Sequence, residues 1–191
     1  MDNRMCFLLG EIGLRTIPKC GSTTLRRQIK NLRGATRSDL CEVDRVVTVI
    51  RDPADRLISA WRSHCSRNSV APTPWQRVVG RTPTPEQFIE AILACPDEER
   101  DYHWQSYEEL LRGIEPREQL IILALEKFPE DWDKTRKKVR ELPQLFGREN
   151  QTSNKWTPTV IPEELRKRVY AEYEESYDLW RRAVNGEFLV A

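Results

Sequence analysis

Ile17-Pro18-Lys19-Cys20-Gly21-Ser22-Thr23-Thr24 lies between a short apolar approach and a segment with helical spacing. Arg15-Thr16-Ile17, continuing Phe7-Leu8-Leu9 after a turn at Gly10 or Gly13, reads as a strand that ends at Pro18. Leu25, Ile29 and Leu32 then recur at helical spacing, with Gly34 as a stop. A helix that starts at Ser22 or Thr23 brings free backbone N–H groups, the positive end of its dipole, several hydroxyls and the Lys19 ammonium to one point. The expected unit is a strand, a tight turn that faces an anion such as phosphate or sulfate, and a helix.

The same unit recurs farther on. Arg45-Val46-Val47-Thr48-Val49-Ile50 is a β-branched run typical of a buried parallel strand. It ends at Arg51-Asp52-Pro53, where Asp52 suits an N-cap and Pro53 the first residue of a helix through Cys65, with Leu57, Ile58 and Trp61 on its apolar face. Leu120 to Leu125 is a third buried strand, with Glu126 and Lys127 just past its end and a helix from Trp132 to Leu142 behind it. Asn68 to Pro85 is a proline-rich loop, Thr84-Pro85-Glu86-Gln87 opens a helix, and Asp101 to Tyr107 leads into a short helix around Glu108 to Arg112. Pro162 to Val184 reads as one long closing helix. Strands alternating with helices predict an α/β protein of three layers, P-loop-like, with a mainly parallel central sheet flanked by helices. Residues 1–191 form a single domain, and its ligand lies at the carboxyl ends of the strands.

The composition narrows the function. A net charge of +1 excludes the broad basic field of a nucleic-acid binder, so anion specificity falls to a local site. No window approaches the roughly 18 apolar residues of a membrane span, and the leading residues lack the pattern of a signal peptide. The expectation is a cytoplasmic protein without membrane insertion. Cys6, Cys20, Cys41, Cys65 and Cys95 are scattered, with only His64 and His103 as imidazole partners, which argues against a disulfide framework and a zinc site.

In the opening stretch the lysine precedes the glycine, unlike the Walker A order, where it follows the second glycine and meets the hydroxyl residue directly. Gly21 permits close backbone approach, Ser22, Thr23 and Thr24 offer hydroxyls, and Lys19 supplies a point charge. Arg51 ends the second strand, and Ser59 lies two turns into the next helix, so the two can share a second anion. Taken singly, Arg51 and Asp52 read as an ion pair with a cap, Arg56 and Arg62 as a solvated helix face, and His64 as a surface residue.

Together these segments resemble a known pair. Pro18-Lys19-Cys20-Gly21-Ser22-Thr23 is similar to the 5′-phosphosulfate loop of sulfotransferases that use 3′-phosphoadenosine-5′-phosphosulfate (PAPS). Arg51-Asp52-Pro53, with Arg56, Leu57, Ser59, Ala60 and Trp61, is similar to their 3′-phosphate segment. The form is closest to the Golgi carbohydrate sulfotransferases of the chondroitin, dermatan and HNK-1 type. His103-Trp104-Gln105 resembles that family's His-Trp segment, and Leu120 to Trp132 its strand and following acidic residues. The chain departs from the family in lacking its cysteines near the His-Trp segment, in having no membrane anchor, and in the short interval between the two phosphate motifs. The last implies an abbreviated acceptor-binding portion.

The resemblance implies roles. Backbone amides of Cys20 to Thr24, with the hydroxyls of Ser22, Thr23 and Thr24, would hold the 5′-phosphosulfate around Gly21, while Arg51 and Ser59 would hold the 3′-phosphate. Lys19 would donate to the bridging oxygen, where charge builds as the S–O bond breaks. Transfer would be in-line to a hydroxyl or amine of a small-molecule or glycan acceptor, with no obligatory metal. The candidate bases are His103, Glu11 and Glu126. Asn150 to Trp156 falls where sulfotransferases close a basic loop over the nucleotide, with Lys155 toward a phosphate and Trp156 toward the base. Two rival readings are a P-loop-type nucleotide kinase or NTPase, and a nucleotide-binding module without catalysis.

Overall fold

Three parallel strands carry the loops that matter, and two further strands extend the sheet on one side. The computed structural model describes residues 6–30, 36–38, 43–65, 83–114, 120–140, 142–144 and 159–188. The strands are β1 (Cys6–Leu9), β2 (Ile12–Arg15), β3 (Thr36–Ser38), β4 (Arg45–Ile50) and β5 (Leu120–Ala124), in the spatial order β3-β1-β2-β4-β5. β2 pairs with β4 in parallel, Ile12 opposite Arg45 and Arg15 opposite Thr48, and β4 pairs with β5 in parallel, Val46 opposite Leu120 and Ile50 opposite Ala124. β1 is antiparallel to both β2 and β3. The mainly parallel expectation therefore holds for β2, β4 and β5 and is corrected at the β1 side. Gly10, at φ +61°, lets the chain reverse in two residues, and so tight a turn can only return antiparallel.

Helices cover both faces. They are α1 (Ser22–Lys30), α2 (Pro53–Cys65), α3 (Pro85–Leu93), α4 (Tyr107–Leu110), α5 (Glu130–Lys138), α6 (Glu163–Glu172) and α7 (Glu174–Val184). Alternation along the strands sorts the core. Val47, Val49, Ile121 and Leu123 meet Leu25 and Ile29 of α1 and Trp132 of α5 on one face. Ile50, Ile122 and Ala124 meet Tyr107, Leu110 and Ala183 on the other. A third cluster joins α2, α3 and α6 through Leu57, Ile58, Phe88, Ile92, Leu165 and Val169. Phe88 is fully buried there, and truncating such a ring costs about 3–5 kcal/mol.

Local chemistry sets several boundaries where the sequence places them. Helix α2 starts at Pro53 with Asp52 Oδ1 accepting from the Asp55 N–H at 2.9 Å, and α3 carries a complete capping box between Thr84 and Gln87. Other boundaries move. β2 ends at Arg15 rather than Ile17, and α5 runs from Glu130 to Lys138 rather than from Trp132 to Leu142. The single closing helix is corrected to two, broken at Tyr173 (φ −107°, ψ 41°). Tyr173 is buried, with its hydroxyl donating to the Trp104 carbonyl at 2.5 Å and its ring 4.9 Å beneath the Arg100 guanidinium. The break lets α6 lie on α2 and α3 while α7 turns onto β5 and α4.

Cys6 is disulfide-bonded, where the scattered spacing argued against a disulfide framework; its partner is outside the described residues. Linear spacing carries no information about which strands meet. Cys20, Cys65 and Cys95 are free. Among the described residues no helix is long and apolar enough to cross a membrane. Most of the Asn68–Pro85 loop and all of Asn150–Trp156, including Lys155, lie outside the described residues.

Candidate active site

The turn after β2 is shaped by backbone. Lys19 has φ +66° and Gly21 φ +74°, so two residues of the turn sit in the left-handed region. For a lysine this costs about 1–2 kcal/mol, which the surrounding structure must offset. The Cys20 N–H donates to the Ile17 carbonyl at 3.3 Å and the Leu25 N–H to the Gly21 carbonyl at 3.1 Å, so the chain passes straight from turn to helix at Ser22. A Cβ at Gly21 would stand 3.1 Å from Leu125 Cδ1, so any larger residue is both strained and crowded.

The first turn of α1 contains no acidic residue, and Arg26 donates to the Ser22 carbonyl from Nε at 3.2 Å and to Ser22 Oγ from Nη2 at 3.1 Å. Ser22 is buried, Thr23 exposed and Thr24 half-buried. The Lys19 ammonium is half-buried beside this helix start. Burial, with Arg26 and Arg56 in the same sense and Asp101 opposing, holds its pKa below the ordinary lysine value. Such a lysine gives up its proton more readily.

Arg56 is not on a solvated face. It is 2 % exposed and spends its fork on three carbonyls: Nε donates to Pro18 at 3.3 Å, Nη1 to Gln105 at 2.5 Å and Nη2 to Tyr102 at 3.2 Å. Its guanidinium also lies 5.0 Å from the Tyr107 ring centre. Helical spacing carries the missing signal, because Arg56 falls one turn before buried Ala60 and one residue before buried Leu57. Tyr107 closes the arrangement from the side of α4. Its hydroxyl donates to the Arg51 carbonyl at 2.5 Å, accepts from the Arg51 N–H at 3.1 Å and lies 3.7 Å from Cys20 Sγ. Burial, reinforced by Cys20, pushes that phenol well above its ordinary pKa, so it stays protonated.

Gripped by Arg56, the Tyr102–Gln105 segment carries His103 to the anion turn. His103 Nδ1 is 2.6 Å from Asp101 Oδ1, and the His103 backbone N–H donates to the same oxygen at 2.9 Å. Burial pushes the Asp101 carboxyl up, but the hydrogen bonds from His103 together outweigh it and leave the group below its ordinary value. Asp101 is therefore an ionised acceptor, so Nδ1 carries the proton and Nε2 is left as the basic nitrogen. An imidazole oriented by a carboxylate is the standard arrangement for moving a proton. Asp101 escaped the sequence reading, although its place two residues before His103 was visible. His64 is not a surface residue: its ring is 4.4 Å from that of His103.

The other candidates are distributed unevenly. Arg51, three residues beyond Thr48, stands at the same sheet edge as Lys19, four residues beyond Arg15, because Arg15 and Thr48 are in register. Arg51 Nη2 lies 3.7 Å from the Asp55 carboxylate, and Asp55 also accepts from Arg166 Nη2 at 3.1 Å. Arg166 Nη1 donates to Asp52 at 3.3 Å, and the Tyr170 hydroxyl donates to the other Asp52 oxygen at 2.7 Å. Ser59 is half-buried, two turns along α2. Glu11 is not brought to the site. It is exposed in the turn ahead of β2, at the opposite end of that strand from Lys19, because the hairpin at Gly10 reverses the chain there. Glu126 is occupied, with Oε1 accepting from the Asp52 N–H at 3.2 Å and Oε2 from Trp180 Nε1 at 3.1 Å. Among the described residues no group of His, Cys, Asp and Glu gathers to hold a metal ion.

Parallel strands whose carboxyl ends carry a left-handed lysine turn, a helix start without acidic residues and a carboxylate-bonded imidazole define an α/β protein of P-loop-like build. Comparison with family models narrows that class. Residues 11–181 match the model described as the sulfotransferase family, and the chain belongs to that family, whose activity is sulfuryl transfer. No curated protein and no solved structure matches the chain.

Proposed function

We propose that this protein is a PAPS-dependent sulfotransferase that transfers a sulfuryl group to a hydroxyl, or an amine, of a carbohydrate or other small polar acceptor. The observation that carries the reading is the Arg56 grip, which fastens the anion turn at Pro18 to the segment bearing His103. A donor site and a proton acceptor are thereby held in one body.

The residues present fit the donor. Gly21 holds a left-handed turn, at φ +74°, that another residue would strain, and the surroundings are N–H groups, hydroxyls and cations. PAPS, when bound, supplies the activated sulfuryl group. The amides of Cys20 to Thr24, with the Ser22, Thr23 and Thr24 hydroxyls, would hold the 5′ end, and Arg51 and Ser59 would hold the 3′-phosphate. Lys19 would donate to the leaving group, and its lowered pKa would make that donation easier as negative charge develops. His103 Nε2 takes the proton of the acceptor hydroxyl, and Asp101 stabilises the imidazolium that results. The Cys6 disulfide favours an oxidising compartment for this activity over the cytoplasm.

The direct test is a thermal melt with adenosine 3′,5′-bisphosphate, followed by transfer of labelled sulfate from PAPS to a panel of sugar and small-molecule acceptors. At about a hundred times Kd the bisphosphate adds about 2.7 kcal/mol of stability, or roughly 5–10 °C for a chain of this size. Magnesium ATP should not compete. No shift at millimolar bisphosphate, with the protein folded, refutes the reading. Binding without transfer to any acceptor supports the non-catalytic module, which leaves the Asp101–His103 pair without a purpose.

A further inference from the structure

A second imidazole stands against the first. His64, in the last turn of α2, has its ring centre 4.4 Å from that of His103 at an interplanar angle of 68°. Trp104 meets His64 edge-on at 5.5 Å and 86°, and Tyr102 leans on the other ring of the pair, His103, at 3.9 Å. Trp104 is itself braced by Phe88 of α3 at 5.5 Å. His64 Nε2 is buried and has no hydrogen-bond partner among the described residues. A buried nitrogen left in that state lowers stability, and a phenylalanine in the same place would not. Local conflicts of this kind collect where a residue is kept for its work.

We infer that His64 is a positioning residue, its ring packed against both Trp104 and His103 so that the His103 imidazole keeps Nδ1 on Asp101 and Nε2 free. The electrostatics agree. Burial, with His103 and Lys19 acting in the same sense and Asp101 against them, lowers His64 to about 4. His64 therefore stays uncharged at neutral pH and adds no repulsion when its neighbour takes up a proton. The inference rests on the proposed reaction for its kinetic arm alone.

The chain has two histidines, so substitution at His64 assigns both imidazole signals in an NMR spectrum of the folded, unliganded protein. The Nδ1 proton of His103, deshielded by its bond to Asp101, should be present in the wild type and in His64→Phe and absent in His64→Ala. Its persistence in His64→Ala, or its loss in both variants, overturns the inference. In the kinetic arm His64→Ala should lower kcat about tenfold with bisphosphate affinity unchanged, and His64→Phe should recover most of that loss. A His64→Ala enzyme with wild-type kcat, or a His64→Phe enzyme as slow as His64→Ala, also overturns it. If the wild type transfers no sulfate, the fault lies with the proposed function, and the NMR arm still decides the role of His64.

Discussion

Helices α1 and α2 leave neighbouring parallel strands at the same edge of the sheet, yet their first turns are furnished in opposite ways. The start of α1 has no acidic residue, faces Lys19, and has Arg26 bonded to Ser22. The start of α2 is answered from within: Asp52 caps it, Asp55 follows in its first turn, and Arg166 holds both carboxylates. One dipole end carries no acidic side chain and the other is already satisfied. Under the proposed function the two segments, so alike as strand, loop and helix, would therefore work by different physics: the first as a backbone cradle, the second through the side chains of Arg51 and Ser59.

The contrast is easiest to break at Lys19. Lys19→Ala should lower turnover about 10²–10³-fold while bisphosphate affinity moves far less, and Arg51→Ala should weaken binding more than turnover. Steady-state kinetics beside calorimetric titration checks both, and parallel losses in the two variants would erase the distinction. Gly21→Ala comes next. At φ +74° with Leu125 in the way it should destabilise the fold by about 1–2 kcal/mol, seen as a melting temperature several degrees lower, and it should weaken bisphosphate binding as well.

Acid reaches the two sides differently. The folded-state pKa of His64, about 4, lies below the ordinary histidine value of 6.5, so its neutral form is favoured by folding. That contribution is complete above about pH 6.5 and is lost as pH falls toward 4. Melting temperature should decline through this window, and His64→Phe should remove that part of the decline. The smallest effect is expected at Asp55. Asp55→Asn frees Arg51 from a pair that is partly exposed, 28 % and 39 % for the two side chains. Bisphosphate affinity should then rise about two- to fivefold, in keeping with the modest worth of such pairs. A fall instead would mean that Asp55 orients Arg51 rather than competing for it.

The strands β4 and β5, the cap at Asp52 and the helix start at Ser22 were legible because short-range chemistry fixes them: a β-branched run, a carboxylate before a proline, hydroxyls after a glycine. What escaped depended on distant partners. Arg56 looks like any surface arginine until the Pro18, Tyr102 and Gln105 carbonyls are folded around it. His64 meets His103 only because the α2 helix and the Asp101 turn converge. Glu11 was misplaced because the hairpin at Gly10 decides which end of the sheet it occupies, and the engagement of Glu126 was hidden because its partners, Asp52 ahead of α2 and Trp180 of α7, are distant in sequence. The break at Tyr173 follows from two packing surfaces that a helical repeat cannot register.

Arg56 also limits how the two segments it joins can move. One planar guanidinium holding carbonyls on both banks forbids the anion turn and the histidine segment from parting like jaws, since separation would strip a buried cation of its partners at once. Under the proposed reaction, any motion that admits an acceptor and frees the spent nucleotide would lie in segments this arginine does not touch.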